Sequence, residues 1–291
     1  MKLLVVGASG LIGNAVYHIA KNQDIDVIGT ATTSHDGKYI PYNLAESDPN
    51  ELLKTLGIYG KQKNTFAVIA AAIANIQQCY DDEKNAFNVN VTGTCKLAEI
   101  FASCNIRSIF LSSDAVFDGI SGNYAENDEP SPICIYGEQK VQTEDYLLAN
   151  IPNILIYRLS KQVVTSLTIG LLGDIYRQYK NLGYVRCIKG LIFNPTYIYD
   201  TASCILKGLL EGLTGLFHVS NSEIFSRYEI SKLFFDKINV STDICEDDIS
   251  RFLLKEHKPL NTTMSTHKFQ SVLPYKFKTV ESIIDEIAMT I

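Results

Sequence analysis

A tyrosine followed four residues later by a lysine is the pattern in this sequence that first suggests chemistry. On a helix the two side chains would lie one turn apart on the same face. An ammonium group beside a phenol stabilises the phenolate, so such a tyrosine next to a bound cofactor could exchange a proton with a substrate. The pattern occurs at Tyr17/Lys21, Tyr59/Lys63, Tyr80/Lys84, Tyr136/Lys140, Tyr157/Lys161, Tyr176/Lys180 and Tyr228/Lys232. Spacing alone selects none of them, because a chain with 16 tyrosines forms such pairs by chance.

A serine-ended strand distinguishes one of these pairs. The apolar run before the Tyr136 segment ends in Ser112 and Ser113, followed by Asp114. Ligands of doubly wound sheets bind at the carboxyl ends of the strands. Among the seven pairs, only Tyr136/Lys140 follows a serine-ended central strand on the next predicted helix. We therefore expect Tyr136 to be the proton donor, and a surface tyrosine on a helix is the alternative.

A glycine-rich stretch near the start predicts a dinucleotide cofactor. LLVVGASGLIG lies between an apolar run and an amphipathic pattern, and its glycines would let backbone N–H groups approach a pyrophosphate. A glycine-rich turn without a ligand is the alternative. The expected contacts in this stretch are Gly7, Ser9, Gly10, Leu11, Ile12 and Gly13.

The end of the second predicted strand bears on which dinucleotide binds. It lacks the acidic residue that usually holds the ribose of NAD. In its place are hydroxyls, a histidine and a cation that could receive a 2′-phosphate: Thr30, Thr32, Thr33, Ser34, His35 and Lys38. We expect NADP(H) to be preferred, and NAD(H) to be accepted as well because this stretch contains no arginine. A solvated polar loop is the alternative.

Apolar runs alternate with helical patterns through the first two thirds of the chain. The predicted strands are 2–6, 25–30, 38–42, 66–71, 106–112, 154–159 and 215–220. The predicted helices are 11–22, 47–57, 81–103, 133–150, 168–181, 200–212 and 226–238, the last beginning at a capping box, SRYE. This alternation predicts an α/β, Rossmann-type, doubly wound parallel sheet with a small C-terminal substrate-binding lobe. Residues 1–160 would form the NAD(P)-binding core, and 161–291 would complete the sheet and form the lobe.

Composition excludes several classes of partner. A net charge of −6 gives no basic field, so we expect no nucleic-acid partner. The longest apolar stretch is too short to span a bilayer, and a glycine loop directly follows the first apolar run, so neither a membrane span nor a signal peptide is predicted. Seven cysteines without a C-x-x-C motif indicate reduced thiols in a cytoplasmic protein. Five scattered histidines indicate no metal site.

Several motifs then occur in one order along nearly the whole chain. They are GASGLIG (7–13), VNVTGT (89–94), SSDAVFDG (112–119), YAENDEPSP (124–132), YGEQK (136–140), NPTYIYDTA (194–202), GLFHVSNSEIFSRYE (215–229) and KPLNTTMST (258–266). In this set the chain resembles the extended short-chain dehydrogenase/reductases, and within them the dTDP-4-dehydrorhamnose reductase-like group. The resemblance implies an NAD(P)H-dependent reductase that acts on the keto group of a nucleotide-linked deoxysugar.

The resemblance also implies roles for single residues. Ser113 would orient the substrate oxygen, Tyr136 would be the general acid, and Lys140 would hold the nicotinamide ribose and lower the tyrosine pKa. Further cofactor contacts would be Asn43, Leu44, Ala70, Ala71, Ala72 and Asn90. Asn90 could also support the active-site strand through backbone hydrogen bonds, and a plain polar helix residue is an equal reading of it. Substrate contacts would be Ser113, Asp114, Ala115, Asn194, Pro195 and Thr196, although a simple turn also explains the last three. Arg158, Lys161, Arg186 and Lys189 are the cations available to a substrate pyrophosphate.

The chain departs from the family pattern on the sugar side. The stretch after the fourth strand is AAAIAN, Ala115 replaces an aromatic residue, and the chain has no tryptophan. Two other functions therefore stay open: a sugar-nucleotide epimerase, and a cofactor-binding regulatory subunit like methionine adenosyltransferase β. A homodimer is allowed, but the sequence does not decide the oligomeric state.

Overall fold

A seven-stranded parallel sheet is the centre of the molecule. The computed structural model describes residues 1–33 and 37–289. The sheet strands are β1 (Lys2–Val6), β2 (Asp26–Ala31), β3 (Ile40–Pro41), β4 (Thr65–Ile69), β5 (Arg107–Ser113), β6 (Leu155–Leu159) and β11 (Gly215–Val219). Their spatial order is β11-β6-β5-β4-β1-β2-β3, and every neighbouring pair is parallel. This order reverses between β1 and β4, which is where doubly wound sheets bind their ligands.

Helices cover both faces of the sheet. They are α1 (Leu11–Asn22), α2 (Pro49–Thr55), α3 (Ile76–Asp81), α4 (Glu83–Phe87), α5 (Thr94–Ser103), α6 (Ile135–Asn150), α7 (Gly170–Leu182), α8 (Ile198–Leu210), α9 (Arg227–Lys237), α10 (His267–Val272) and α11 (Val280–Ala288). One core joins α1 and α8 to the sheet, with Val16 and Ile205 fully buried. The other joins α2, α5 and α6, with Leu97 and Leu147 fully buried. The Rossmann-type prediction is confirmed, because strands that are apolar on both faces need both layers of helices.

The second half of the chain adds short strands and a third core. The strands are β7 (Gln162–Val163), β8 (Tyr184–Ile188), β9 (Ile192–Phe193), β10 (Thr196–Tyr197), β12 (Phe225–Ser226) and β13 (Asp243–Asp247). They pair as β7 with β10, β9 with β12 and β8 with β13. The third core packs α7, α9 and α11 around Leu171, Phe234 and Ile283. The domain boundary at residue 160 stays a prediction, since β11 and α8 from the second half belong to the main sheet and its core.

One segment near the C terminus ties the two parts together. Residues 261–264 form bridges to the loop before α6 at Tyr124 and to β9 at Ile192. The Tyr124 N–H donates to the carbonyl oxygen of Thr263 (3.0 Å), and the Asn261 N–H donates to that of Gly119 (2.8 Å). This segment is called the tie segment below.

The predicted helix 81–103 is confirmed from Glu83 to Ser103, and a break at Asp82 precedes it. The structure has α3, α4, a wider π-helical turn at Asn88–Gly93, and then α5. Asp82 separates α3 from α4, with φ −140° and ψ 70°, and its side chain accepts from the N–H of Asn85. The capping box at the start of α9 is confirmed, with Ser226 and Glu229 bonded reciprocally. The predicted helices end before α10 and α11, which the sequence patterns did not reveal.

The described residues contain neither a candidate membrane span nor a candidate metal cluster. None of the helices within 1–33 and 37–289 is both long and apolar enough to cross a membrane. The same residues contain no group of three or more His, Cys, Asp or Glu side chains placed to hold a metal ion.

Candidate active site

The glycine loop joins β1 to α1 through close backbone contacts. Gly7 has φ +87°, and a Cβ there would lie 2.6 Å from the nitrogen of Ala71. A Cβ on Gly13 would lie 2.2 Å from the carbonyl oxygen of Gly7. Gly10 differs, because its added Cβ would meet one atom, the Gly7 oxygen, at 3.3 Å. Gly7 and Gly13 therefore hold the loop together, whereas Gly10 leaves open the space in front of the α1 N terminus, where a helix favours an anion.

A cleft of about 340 Å³ opens beside this loop. It is lined by Gly7, Ser9, Gly10, Thr32, Tyr42, Asn43, Leu44, Ala70, Ala71, Ala72, Ile73, Asn85 and Val89. Sequence reasoning missed Tyr42, whose buried hydroxyl has no hydrogen-bond partner among the described residues. A buried hydroxyl without a partner is costly, and a bound polar ligand would remove that cost. The open space at Gly10 and this hydroxyl both fit a dinucleotide.

Some of the residues expected to contact the cofactor make contacts within the protein or lie outside the cleft. The Thr30 hydroxyl is buried and accepts from the N–H of Gly7 at 3.4 Å, so it supports the glycine loop and is not presented to a 2′-phosphate. Lys38 is not among the cleft residues, and its ammonium lies 4.9 Å from the centre of the Tyr39 ring. Thr32 does line the cleft, and Thr33 is exposed. The predicted Ser34 and His35 lie outside the described residues.

The Asn90 side chain bonds to the loop after β4 and to α6, and its contact with a cofactor stays a prediction. Its Oδ1 accepts from the N–H of Ile73 at 2.9 Å, and its Nδ2 donates to the Ile73 carbonyl at 3.0 Å. The same Nδ2 donates to Oε1 of Gln139 on α6 at 2.8 Å. Because Asn90 is almost fully buried, these bonds use its polar atoms to brace the loop after β4 against α6. The π-helical turn is what carries this side chain.

Ser113 and Tyr136 meet where β5 ends and α6 begins. Burial raises the pKa of the Tyr136 phenol, and a hydrogen bond to the Ser113 side chain partly opposes that shift. The Ser113 hydroxyl accepts from the N–H of Ala115 at 3.2 Å and donates to Oδ1 of Asp114 at 3.0 Å. Tyr136 is therefore a neutral phenol at neutral pH, which is the state required of a proton donor.

Lys140 lies one turn further along α6 and is buried beside the same strand. Its Nζ donates to the carbonyl of Leu111 at 2.8 Å and lies 5.6 Å from the centre of the Tyr136 ring. Burial lowers the pKa of Lys140 to about 8, although the carboxylate of Glu144 partly opposes this shift. Burial dominates at Tyr136 and raises its pKa overall, so a lowering of that pKa by Lys140 stays a prediction.

Ser113 and Tyr136 line a second pocket, which also has a volume of about 340 Å³. It is lined by Leu11, Ile12, Ala74, Ile76, Ser112, Ser113, Asp114, Ala115, Tyr136, Leu159, Ser160, Lys161, Gln162, Gly170, Leu171, Asp174, Leu191, Phe193, Arg227, Lys258, Pro259 and Thr262. The cleft and this pocket adjoin, since Gly10 lines one and Leu11 the other, as do Ile73 and Ala74. We call it the substrate-side pocket.

Asp114 is the carboxyl group nearest the Ser113 hydroxyl. Its Oδ2 accepts from the Thr262 hydroxyl of the tie segment at 2.7 Å. Burial raises the pKa of Asp114, and the bonds from Thr262 and Ser113 partly oppose the rise. Ser112 lines the same pocket, and its buried hydroxyl has no hydrogen-bond partner among the described residues. A bound polar ligand would supply the hydrogen bond that the buried Ser112 hydroxyl lacks.

The predicted substrate residues Asn194, Pro195 and Thr196 do not line this pocket. All three are buried. Asn194 accepts from the N–H of Met264 at 2.8 Å, and the Thr196 hydroxyl accepts from the N–H of Asn221 at 2.9 Å. Asn194 and Thr196 therefore hold the tie segment and the chain after β11 in place, and substrate contact by the three residues stays a prediction.

The cations near the pocket differ from those predicted. Arg158 is buried and bonded to Glu144, and Arg186 pairs with Asp247. Lys189 is exposed and lies outside the pocket. Of the four predicted cations, Lys161 alone lines the pocket, and Arg227 and Lys258 line it as well. The KPLNTTMST motif contained Lys258 and Thr262, but no local pattern showed that this distant segment reaches Ser113.

The other six tyrosines of the repeated pattern lie elsewhere. Tyr157 is buried in the core and donates to the carbonyl of Cys204, and Tyr17 packs edge-on against Tyr39. Tyr59 and Tyr80 are exposed, and Tyr176 and Tyr228 pack against the third core. Among these seven described tyrosines, Tyr136 is the one that lines the substrate-side pocket.

Known proteins are similar to this chain in sequence and in fold. The model of the RmlD substrate binding domain family matches residues 1–290. A dTDP-4-dehydrorhamnose reductase of Aggregatibacter actinomycetemcomitans is 28% identical over 250 residues, which cover 81% of this chain and 79% of that protein. Methionine adenosyltransferase 2 subunit beta of Danio rerio is 27% identical over 251 residues, covering 82% and 74%. The crystal structure of a dTDP-4-dehydrorhamnose reductase of Bacillus anthracis, in complex with NADP, superposes with a TM-score of 0.86 at 19% identity, covering 100% of this chain and 99% of that one.

Proposed function

The chain belongs to the RmlD substrate binding domain family, and from that premise we propose that it is a reductase that uses NADPH in preference to NADH. Its substrate is the keto group of a nucleotide-linked deoxysugar. The observation that carries the proposal is the position of Ser113 and Tyr136, which both line the substrate-side pocket where it adjoins the cofactor cleft. The relative from Aggregatibacter and the NADP-bound structure from Bacillus support the same reaction class.

The cofactor would lie in the cleft, with its pyrophosphate at the open face of Gly10 and its ribose near Lys140. When bound, its nicotinamide supplies the hydride. Tyr42, Asn43 and Ala70–Ala72 would line its adenosine half. The Lys140 ammonium, already bonded to the carbonyl of Leu111, has two further protons to donate.

The residues on the substrate side would then complete the reduction. The Ser113 hydroxyl accepts from the N–H of Ala115, and it would turn its one proton from Oδ1 of Asp114 to the substrate carbonyl oxygen and so fix the position of that oxygen. As that oxygen gains charge, it takes the phenolic proton of Tyr136, and an alcohol and a phenolate result. The nearby Lys140 ammonium stabilises the phenolate until water returns the proton.

The relation to methionine adenosyltransferase 2 subunit beta supports a second candidate, a regulatory subunit that keeps the cofactor cleft. The presence of Ser113, Tyr136 and Lys140 together favours the enzyme. An epimerase of the same fold would retain its cofactor and consume none.

A panel of 4-keto sugar nucleotides with NADPH or NADH, followed at 340 nm, tests the proposal. We expect NADPH to be oxidised in proportion to substrate, and to bind more tightly than NADH in a fluorescence titration. Binding of NADPH without turnover of any substrate would favour the regulatory candidate. Product formation without net oxidation would favour the epimerase.

The seven cysteines are all free thiols, which supports a cytoplasmic location. A homodimer stays a prediction, and sedimentation of the purified protein would decide it.

A further inference from the structure

The hydroxyl of Thr262 forms a hydrogen bond that joins the tie segment to the end of β5. It donates to Oδ2 of Asp114 at 2.7 Å, from a position 148 residues further along the chain. The other carboxylate oxygen of Asp114, Oδ1, accepts from the Ser113 hydroxyl at 3.0 Å. One carboxylate therefore connects the tie segment to the hydroxyl that would hold the substrate carbonyl oxygen, and all three residues line the substrate-side pocket.

The backbone that carries Thr262 is itself held in place. The Thr262 N–H donates to the carbonyl of Ile192 on β9 at 3.1 Å, and the Ile192 N–H donates to that of Leu260 at 2.7 Å. Two residues further on, the Met264 N–H donates to the side chain of Asn194 at 2.8 Å. Thr262 is also buried. Its hydroxyl therefore has little freedom to move, which is what an orienting group in a site requires.

Asp114 needs such a support, because the torsion that turns a carboxylate is soft. Of its other neighbours, the Ser160 hydroxyl lies at 3.5 Å, at the limit of hydrogen-bond distance, and restrains it little. With Thr262 bonded to one oxygen, the second oxygen stays directed at Ser113. Since Ser113 also accepts from the N–H of Ala115 at 3.2 Å, its hydroxyl is held from two sides before a substrate arrives. Only its proton then has to turn.

We propose that Thr262 is a positioning residue, which acts through Asp114 to hold the Ser113 hydroxyl where the substrate carbonyl oxygen binds. This inference rests on the proposed function, because it concerns the reduction in which Ser113 would take part. A displacement of about 1 Å at a reacting group costs on the order of 100-fold in rate. Thr262 acts through one further residue, and Ala115 still holds Ser113 when it is lost, so we expect a loss of about tenfold in kcat.

Steady-state kinetics test the proposal, with NADPH and the 4-keto sugar nucleotide that the wild type reduces fastest. Thr262→Val removes the hydroxyl and keeps the shape of the side chain. It should lower kcat about tenfold and change KM by less than about threefold, because the orientation of the reacting group is lost and not the contact area of the substrate. Thr262→Ser keeps the hydroxyl and should bring kcat back to within about twofold of the wild type.

Thr263 supplies the matched control, because it is the next residue of the tie segment and is also buried. Its hydroxyl accepts from the N–H of Asn123 at 2.7 Å and donates to Oδ1 of Asn261 at 2.9 Å, and neither partner lines the substrate-side pocket. Thr263→Val removes two bonds where Thr262→Val removes one, so it should lower the melting temperature at least as much and leave kcat unchanged. If both variants lost kcat equally, loosening of the tie segment would explain the loss, and the proposal would be wrong.

A double-mutant cycle shows whether Thr262 acts through Asp114. In an Asp114→Ala background, Thr262→Val should have no further effect on kcat, because the carboxylate that it holds is already absent. A second full loss in that background would mean that Thr262 acts in another way. Either that result or a wild-type kcat in Thr262→Val alone would overturn the proposal.

The contact also has a readout that does not depend on turnover. Burial raises the pKa of Asp114, and the bond from Thr262 partly opposes the rise, so Thr262→Val should raise that pKa further in a carboxyl-carbon NMR titration, and Thr263→Val should not. If the wild type reduced no 4-keto sugar nucleotide, the proposed function would fail, while a raised Asp114 pKa in Thr262→Val would still support the link between the two side chains. An unmoved pKa would overturn that link. Thermal melting shows whether each variant is folded, and Thr262→Ala takes the place of Thr262→Val if the valine variant is not.

Discussion

The buried ion pair between Glu144 on α6 and Arg158 on β6 should make a large contribution to stability that depends on both partners. The carboxylate accepts from Nε at 3.0 Å and 3.1 Å and from a terminal nitrogen at 2.6 Å. The two side chains are 2% and 4% exposed, so water cannot replace a lost partner. His218 lies 3.4 Å from the guanidinium, but burial and the charge of Arg158 lower its pKa to about 3, so it is neutral and offers no compensating charge.

Glu144→Gln would keep the shape of the side chain and leave the arginine charge unpaired. Removing one partner of a buried pair costs about 3–5 kcal/mol. A domain of this size loses roughly 2 °C of melting temperature per kcal/mol, so we expect a fall of roughly 6–10 °C. Adding Arg158→Met to that variant should recover part of the loss, because no charge is then buried alone. Calorimetric melting of the four proteins in the cycle measures this.

Glu51→Gln is the matched control, since Glu51 pairs with Lys54 at the same 2.6 Å but on the surface. Exposed pairs contribute at most about 1 kcal/mol, so its melting temperature should hardly move. If Glu144→Gln melted as the wild type does, or if the double variant lost the sum of both single losses, the reasoning about burial would be wrong. Glu144 also raises the pKa of Lys140, so its loss should move the pH midpoint of NADPH binding downwards.

Three further predictions concern the site. Tyr136→Phe should lower turnover by about 100-fold or more with little change in NADPH affinity, whereas Tyr228→Phe should match the wild type in steady-state assays. Gly10→Val should abolish NADPH binding in a folded protein. Gly13→Ala should also lower the melting temperature, because its Cβ would lie 2.2 Å from the Gly7 oxygen. Unchanged NADPH titrations of the Gly10→Val protein would exclude the loop as the phosphate site. Because the pKa of Lys258 is lowered to about 8, its charge is lost as the pH rises through that value, so KM for an acidic substrate should rise above about pH 8, and Lys258→Arg should flatten that profile.

Local patterns in the sequence were sufficient for the sheet. All seven of its strands are predicted, six of them because each is an apolar run bounded by a turn or a helical pattern. The seventh, β3, is only Ile40–Pro41 at the edge of the sheet, where Ile40 is half-buried and Pro41 is exposed, and it is shorter than the predicted 38–42. The pairing of Tyr136 with Ser113 followed from the same logic, since the end of a strand and the start of the next helix are fixed by the fold. The catalytic role of that pair stays a prediction.

Residues whose partners are distant in sequence could not be placed in this way. Arg158 was read as a cation for the substrate, but its partner Glu144 is buried on another element, and no spacing shows that. The sequence allows Asn90 to contact the cofactor or to support the active-site strand through backbone hydrogen bonds, but it does not reveal that the π-helical turn directs the side chain to Ile73 and Gln139. Lys258 reaches the pocket only because the tie segment crosses to the loop at Tyr124. Contacts of this kind depend on tertiary structure, and composition or periodicity carries no record of them.

The tie segment has a consequence for the order in which the two halves of the site become usable during synthesis. The residues around the cofactor cleft leave the ribosome first, but the Thr262 hydroxyl that bonds to Asp114 comes from 148 residues further along the chain. At roughly 5–20 residues per second, about 7 to 30 seconds separate the synthesis of Asp114 from that of Thr262. We expect a nascent chain to gain NADPH before it can hold a sugar, and fluorescence of ribosome-bound chains arrested before and after residue 262 would show whether it does.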